Sequence, residues 1–250
     1  MDKYGLIGYP LKHSFSQRFF GDKFAKECID AEYLNFEIPT IDLFPEIIES
    51  NTQLKGLNVT IPYKEQIIPY LDRLDSGAQE IGAVNVIKIE RENGEKEKPK
   101  LIGYNSDIIG FQNSIAPMLD RAIHRKALIL GTGGASKAVK KGLENLGISS
   151  SFVSRTQKKE GFTYTELSPA IMAEYTVIVN SSPLGTFPDI DKAPDIPYQL
   201  LTTHHLLYDL VYNPYETKFL RLGKEHGAAI KNGAEMLELQ AIAAWEIWNS

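Results

Sequence analysis

Residues 127–138 have the sequence ALILGTGGASKA. A short apolar run ends there in a glycine-rich turn, and a segment that favours helix follows at once. Gly131 permits a tight turn after a strand, and Gly133 allows the backbone to approach a pyrophosphate without an intervening side chain. The N–H groups at the start of the following helix would then face the phosphates. This pattern predicts a dinucleotide-binding turn, and the alternative is an ordinary glycine-rich connection.

A basic segment follows the next expected strand, which covers residues 151–154. Arg155 comes directly after this strand, with Lys158 and Lys159 close behind it. Units that bind NAD carry an acidic residue at this point to hold the ribose hydroxyls, whereas a cation suits a 2′-phosphate. The basic segment therefore favours NADP, and the alternative is a solvated loop.

The composition limits the class of protein. The chain has 250 residues, of which 43% are hydrophobic and 24% are charged, as in ordinary globular proteins of one large or two modest domains. A net charge of −5 argues against a nucleic-acid partner. Cys28 is the single cysteine, and the five histidines show no ligand spacing, so we expect no disulfide framework and no metal site. We see no signal peptide and no run of membrane-spanning length, and we therefore expect a cytoplasmic protein without a membrane partner.

Strands and helices are expected to alternate along the chain, which is typical of parallel βαβ units and of the α/β fold class. The charged segment 91–99 separates two strand-like runs and is expected to be a hairpin tip. Residues 183–203 hold four prolines and are expected to form a long loop. The other expected strands cover residues 4–8, 32–38, 57–61, 84–90, 100–104, 175–180, 206–211 and 228–231. The expected helices cover residues 16–28, 41–50, 107–119, 216–226 and 233–248, and residues 64–74 are expected to be at least partly helical.

Polar side chains lie at the expected ends of two strands in the first part of the chain. Ser14 and Ser16 follow the first strand and precede the first helix, where serine commonly caps a helix. Their hydroxyls could also face a ligand, because open α/β sheets bind at the carboxyl ends of their strands. Thr60 and Lys64 follow the third strand, and for the lysine alone an ordinary surface position is the simpler interpretation.

Two further segments combine glycine with polar groups. Residues 81–85, IGAVN, place the amide of Asn85 at the edge of a strand. Residues 103–110, GYNSDIIG, contain Asp107, which could simply cap the helix that follows.

These segments together resemble the shikimate dehydrogenase family. The family pattern runs H-S-x-S, N-V-T-x-P-x-K, I-G-A-V-N, G-x-N-T-D and a G-x-G-G-A turn, and its five parts have counterparts here in that order. Residues 180–185, NSSPLG, resemble the family's N-A-T-P-x-G, and residues 209–217 resemble its D-x-x-Y-x-P-x-x-T. Residues 233–240 resemble its closing G-x-x-M-L-x-x-Q, so the resemblance covers nearly the whole chain.

The chain departs from the family pattern at a few positions. Ser106 replaces a threonine, and Gln17 stands where the family usually has proline. Ser154 replaces the asparagine of an N-R-T segment, and Ala241 replaces the glycine after the closing glutamine. None of these changes removes a group that the chemistry needs, and together they indicate a divergent member.

The resemblance implies a fold and a reaction. Residues 106–235 would form a Rossmann-type, doubly wound NADP-binding domain, and residues 1–105 with 236–250 would form an α/β substrate-binding domain. The implied reaction is the reversible, NADP-dependent oxidation of shikimate to 3-dehydroshikimate, a step of aromatic amino acid biosynthesis. The implied partner is this small molecule, and the implied assembly is a monomer or a homodimer.

The resemblance also implies roles for individual residues. Lys64 would act as the acid that protonates the new alkoxide, and Asp107 would orient its ammonium group. The residues implied to bind the substrate are Ser14, Ser16, Thr60, Asn85, Tyr212 and Gln240. The residues implied to bind NADP are Gly131, Gly133, Gly134, Ala135, Ser154, Arg155, Thr156, Lys158 and Gly233.

Two other functions stay open at this point. One is a quinate or quinate/shikimate dehydrogenase that uses NAD, against which Arg155 argues. The other is a non-catalytic module that binds such a metabolite, against which the intact pair of Lys64 and Asp107 argues.

Overall fold

The chain folds into two compact units. The computed structural model describes residues 1–11, 15–91, 98–156 and 161–250. Unit 1 comprises residues 1–106 together with 240–250, and unit 2 comprises residues 107–239.

In the described part of unit 1, six strands form a mixed sheet. They are β1 (Asp2–Gly8), β2 (Ala31–Glu37), β3 (Leu54–Val59), β4 (Arg73–Leu74), β5 (Val86–Glu90) and β6 (Lys100–Tyr104). Their order across the sheet is β2-β1-β3-β5-β6-β4. β1 is parallel to β2 and β3, whereas β5 is antiparallel to both of its neighbours, β3 and β6. The carboxyl ends of β1, β3 and β6 therefore share one edge of the sheet with the amino end of β5.

Helices pack on both faces of this sheet. They are α1 (Phe15–Glu27), α2 (Phe44–Ser50) and α3 (Ser76–Ile81). Side chains of α2 and α3 share one core cluster, and side chains of α1 share the other with residues 241–248. Trp248 ties this last segment to the sheet, because a β-carbon on Gly56 would lie 2.2 Å from its indole and its Nε1 donates to the Ile87 carbonyl at 3.1 Å.

In unit 2, the described residues contain a parallel sheet of six strands. They are β7 (Lys126–Leu130), β8 (Ser149–Ser154), β9 (Phe162–Thr163), β10 (Val177–Asn180), β11 (Leu206–Asp209) and β12 (Ala229–Lys231). Their order is β12-β11-β10-β7-β8-β9, and each neighbouring pair is parallel. The chain starts at the centre with β7 and winds outward in both directions, so the predicted α/β, doubly wound fold is confirmed.

Helices cover both faces of the second sheet as well. They are α4 (Ser106–Ile115), α5 (Gly134–Asn145), α6 (Pro169–Glu174), α7 (Lys218–Glu225) and α8 (Ala234–Trp248). In β7, Ala127 and Ile129 pack in one core cluster with Phe111, whereas Leu128 and Leu130 pack in another with Phe219. This burial on both faces explains why the central strands are uninterrupted apolar runs in the sequence.

Most of the expected strands and long helices are present, but short elements were missed. The sequence analysis assigned no element to α3, α6 or β9, each of which has two to six residues. Of the segment 64–74, expected to be at least partly helical, only Ile68–Tyr70 forms a short 3-10 helix, and Arg73–Leu74 is the strand β4. Such segments are too short to show a hydrophobic period. Strands β5 and β6 pair as a hairpin should, while residues 92–97 of its tip lie outside the described residues.

Helix α1 ends at a residue with an unusual backbone conformation. Cys28 has a φ of +54°, and the N–H of Ile29 donates to the carbonyl of Phe24 at 3.0 Å. This is the Schellman arrangement, in which glycine usually occupies the left-handed position. A residue with a β-carbon loses about 1–2 kcal/mol in that conformation.

We therefore expect Cys28→Gly to raise the free energy of unfolding by about 1 kcal/mol, since glycine relieves the strain but is itself more flexible in the unfolded chain. Urea denaturation measures this free energy. Cys28→Ala is the control, because it removes the thiol and keeps the β-carbon, and its stability should stay close to that of the wild type. Equal stabilities of the glycine and alanine variants would contradict the expectation.

Candidate functional site

Polar residues converge at one edge of the unit 1 sheet because β5 runs antiparallel to its neighbours. Thr60 follows β3, and Asn85 directly precedes β5. The Asn85 carbonyl accepts a hydrogen bond from the Val59 N–H at 2.9 Å, and its own N–H donates to the Tyr104 carbonyl at 3.0 Å. The backbone of Asn85 is thus held between the ends of β3 and β6.

The side-chain amide of Asn85 joins distant parts of the sequence. Its Nδ2 donates to the Ser106 Oγ at 3.1 Å and to the Gln240 Oε1 at 3.2 Å. Its Oδ1 accepts from the Ser106 N–H at 2.7 Å. Asn85 is buried, so these bonds are shielded from water. They bring Gln240 to this edge and fix the first residue of α4, directly before Asp107.

The turn after β3 positions Lys64. The Thr60 carbonyl accepts from the Tyr63 N–H at 2.9 Å, and the Lys64 carbonyl accepts from the Val84 N–H at 2.8 Å. Lys64 is half-buried in unit 1, and Asp107 is buried near the start of α4 in unit 2.

A hydrogen-bonded line behind this edge was missed by the sequence analysis. The Tyr33 hydroxyl on β2 donates to the Asn58 Oδ1 at 2.7 Å. The Ser16 side chain acts on the same hydroxyl and lowers its pKa, although burial raises that pKa by more. The Asn58 Nδ2 donates to the Asn85 carbonyl at 3.3 Å. Asn58 opens the N-V-T segment, which is the feature that could have revealed it, whereas Tyr33 lies in none of the matched segments.

Two further residues predicted to bind substrate, Ser14 and Tyr212, are not part of this edge of unit 1 as the structure describes it. Ser14 lies outside the described residues. Tyr212 belongs to unit 2, where it follows β11 and is 48% exposed.

The glycine-rich turn of unit 2 has the geometry of a phosphate site. Gly131 has a φ of +106°, which favours glycine. Gly133 caps α5 without a side-chain hydrogen bond, and a β-carbon placed on Gly133 or Gly134 would meet no atom within 4 Å. The Ser136 hydroxyl donates to the Gly133 carbonyl at 2.6 Å and so holds the turn. Open space beside backbone N–H groups at a helix start fits a pyrophosphate.

The segment after β8 is exposed and basic. Arg155 and Thr156 are exposed, and the Ser154 hydroxyl donates to the Thr156 carbonyl. Burial raises the pKa of Tyr164, and the charge of Arg155 opposes that shift, so the guanidinium acts on the same part of the surface. Lys158 lies outside the described residues.

Gly233 is buried where the chain enters α8. A β-carbon at this position would lie 2.2 Å from the Leu210 carbonyl oxygen, and the Gly233 N–H donates to the Val211 carbonyl at 3.2 Å. Close packing against the segment after β11 therefore requires glycine here, whatever its relation to a cofactor.

Asp209 connects the segments that follow β10 and β11. Its Oδ1 accepts from the Asn180 Nδ2 at 2.9 Å and from the Val211 N–H at 3.0 Å, and its Oδ2 accepts from the Thr217 hydroxyl at 2.6 Å. Asn180 in turn accepts from the N–H of Ser182 at 3.0 Å. Burial raises the pKa of Asp209 to about 6, although these three hydrogen bonds lower it.

The Asp209 carboxyl group should therefore make stability depend on pH. Its pKa is higher in the folded protein than its ordinary value of 3.8. The protonated carboxyl therefore contributes fully to the free energy of unfolding below pH 3.8, and this contribution is lost as the pH rises through about 6. Over this window we expect the free energy of unfolding of the wild type to fall by on the order of 3 kcal/mol relative to that of Asp209→Asn. The asparagine keeps the shape and does not titrate. Urea denaturation of both proteins at a series of pH values tests this, and a constant difference between them would contradict it.

Neither a metal-binding group nor a membrane-spanning helix occurs among the described residues. Within 1–11, 15–91, 98–156 and 161–250, no three histidine, cysteine, aspartate or glutamate side chains form a group that could hold a metal ion. Over the same residues, no helix combines the length and apolar character that crossing a membrane requires.

The chain is similar to known proteins over nearly its full length. Residues 6–87 match the family model of the shikimate dehydrogenase substrate binding domain. A curated shikimate dehydrogenase (NADP(+)) of Aquifex aeolicus is 39% identical over 256 residues, which cover 98% of this chain and 90% of the relative.

Solved structures also match this chain over nearly its full length. The shikimate 5-dehydrogenase of Thermus thermophilus, in complex with NADP(H) and shikimate, is 27% identical to this chain and superposes with a TM-score of 0.84. The match covers 99% of this chain and 93% of the Thermus chain. The shikimate 5-dehydrogenase of Listeria monocytogenes, in complex with shikimate and NAD, has 26% identity and a TM-score of 0.85, with coverage of 100% and 92%.

Proposed function

The chain belongs to the shikimate dehydrogenase family, and we propose that it catalyses the reversible, NADP-dependent oxidation of shikimate to 3-dehydroshikimate. The observation that carries this proposal is the Asn85 amide, which binds Ser106 and Gln240 at one sheet edge. These three residues come from three separate family motifs. The names of the curated relatives and the ligands of the similar Thermus structure support the same reaction.

We propose that unit 1 binds the substrate and unit 2 binds NADP. Residues 6–87, which match the substrate binding domain of the family, lie within unit 1. The residues of unit 1 that we propose for shikimate are Ser16, Thr60, Asn85 and Gln240, to which the sequence adds Ser14 and, from unit 2, Tyr212. A cytoplasmic location and a monomeric or dimeric state remain predictions.

The turn at 131–135 is the proposed pyrophosphate site, and the basic segment 154–158 is the proposed site of the 2′-phosphate. The uncapped start of α5 supplies N–H groups and a positive dipole end. Arg155 supplies a guanidinium, which binds a phosphate through two charge-assisted hydrogen bonds. Bound NADP would supply the hydride acceptor on its nicotinamide ring.

Lys64 and Asp107 are the proposed acid–base pair. Oxidation of an alcohol requires that its hydroxyl proton be removed, and reduction of the ketone requires that a proton be returned to the same oxygen. We assign this proton to the Nζ of Lys64, and we assign to Asp107 the task of holding and orienting that group.

The direct test of this function is the formation of NADPH, followed by absorbance, when the protein is mixed with NADP+ and shikimate. Shikimate and quinate should be compared with both NADP+ and NAD+, because a similar Listeria structure holds NAD. We expect the highest kcat/KM for shikimate with NADP+. Preference for quinate or NAD+ would support the alternative dehydrogenase, and absence of turnover with every pair would support a non-catalytic binding module.

Lys64→Ala should lower kcat about a hundredfold or more, the usual effect of removing a positioned acid or base. The KM for shikimate should change less. Asp107→Asn should have a similar effect, and the double variant should lose much less than the product of the two single losses, because the residues act together. Lys55→Ala, which removes an exposed lysine from β3, is the control and should keep the wild-type kcat. Independent, multiplicative losses would refute the paired action.

Arg155→Ala should raise the KM for NADP+ about ten- to a hundredfold, since a charge-assisted hydrogen bond contributes about 1.5–3 kcal/mol. Use of NAD+ should change little, and the effect should shrink at high salt because exposed charges are screened. Arg121→Ala removes an exposed arginine elsewhere in unit 2 and serves as the control. The ratio of kcat/KM for the two cofactors is the measurement. An Arg155 variant that matches the Arg121 variant would show that Arg155 does not bind the phosphate.

A further inference from the structure

Tyr33 holds a buried hydroxyl group directly behind the proposed substrate residues of unit 1. The residue is 7% exposed, and its ring stacks on Phe20 of α1, with 4.8 Å between the ring centroids and 12° between the ring planes. The Trp248 ring lies at 6.5 Å. The phenol is therefore fixed by packing on its ring, and its hydroxyl has a set direction.

The hydrogen bonds of this hydroxyl have a definite polarity. Its single proton goes to the Asn58 Oδ1, at 2.7 Å, so toward the Ser16 hydroxyl, which lowers its pKa, its oxygen can act only as an acceptor. The Asn58 Nδ2 donates to the Asn85 carbonyl at 3.3 Å. A line of hydrogen bonds thus runs from β2 through β3 to the residue that precedes β5, and the Ser16 side chain of α1 acts on its first member.

This line adds directional bonds where the packing between elements is apolar. Between α1 and the sheet, the core contacts are rings such as Phe20 and Phe24, whose side chains carry no hydrogen-bonding group. A serine hydroxyl has three staggered positions, and a directional bond favours one of them. A bond from Ser16 to the Tyr33 oxygen would make that selection.

We propose that Tyr33 is a positioning residue for the substrate, which holds the Ser16 hydroxyl and the Asn58–Asn85 pair in one mutual arrangement. The proposal rests on the proposed function, because it takes Ser16 and Asn85 as residues that bind shikimate. Tyr33 acts through these neighbours and does not itself touch the substrate. Burial raises the pKa of its phenol, so the group stays protonated at ordinary pH and its proton remains on the bond to Asn58.

Tyr33→Phe removes only the hydroxyl and keeps the stacked ring. We expect the Kd for shikimate, measured by calorimetry, and the KM for shikimate to rise about five- to tenfold, as for the loss of one hydrogen bond. The KM for NADP+ should stay within about twofold, and kcat should fall less than the KM rises. Tyr208→Phe is the matched control, since it removes another buried hydroxyl, which donates to the Ser114 Oγ at 2.8 Å in unit 2.

Ser16→Ala adds a second test. If Tyr33 acts through Ser16, the Tyr33→Phe change should have little effect on shikimate affinity in the Ser16→Ala background. If Tyr33→Phe weakens shikimate binding equally in the wild-type and Ser16→Ala backgrounds, Tyr33 does not act through Ser16. A Tyr33→Phe variant that keeps wild-type shikimate affinity, with a melting temperature lowered as in the Tyr208→Phe control, would show that the hydroxyl only stabilises the fold. If the wild type oxidises shikimate and Tyr33→Phe binds shikimate as tightly as the wild type, only the proposed role of Tyr33 is refuted. If the wild type neither binds nor oxidises shikimate, the proposed function is refuted as well.

Discussion

The contacts of the Asn85 side chain are the constraint on which the proposed substrate site depends. One planar amide donates to Ser106 and Gln240 and accepts from the Ser106 backbone. Only a primary amide offers two donors and an acceptor in this space, because an aspartate would have no proton to give and would face the Gln240 oxygen with a charge. The buried position makes each lost bond costly, since the freed groups cannot turn to water. The amide is thus suited to joining the sheet, the start of α4 and the returning C-terminal segment.

Asn85 reaches this edge of the sheet because β5 runs antiparallel to β3 and β6. If β5 were parallel to β3, Asn85 would lie at the opposite edge of the sheet from Thr60 and Lys64. Unit 2 reaches a similar result without a reversed strand, because β7 and β10 lie side by side where the strand order changes direction. Open α/β sheets bind ligands at such a point. There the glycine turn follows β7, and Asp209 and Asn180 fix the segments after β11 and β10.

The sequence predicted those parts of the structure that follow from local patterns. Buried parallel strands such as β7 are continuous apolar runs, and the turn after it needs glycine at Gly131 for its positive φ. Asn85 was marked by its motif, but its bond to Gln240 joins residues far apart in the chain, and no local pattern shows such a contact. Tyr33 was missed for the same reason, since its partners come from α1 and β3. The left-handed Cys28 was missed because neither its residue type nor its neighbours differ from an ordinary helix end.

The central claim is that shikimate binds at the edge of unit 1 that Asn85 organises. A crystal structure of the protein with shikimate and NADP+ tests it most directly. The account predicts shikimate within hydrogen-bond distance of Asn85 and Gln240, and the pyrophosphate of NADP+ against the backbone of residues 133–135. Shikimate bound away from Asn85 and Gln240 in that structure would contradict the account.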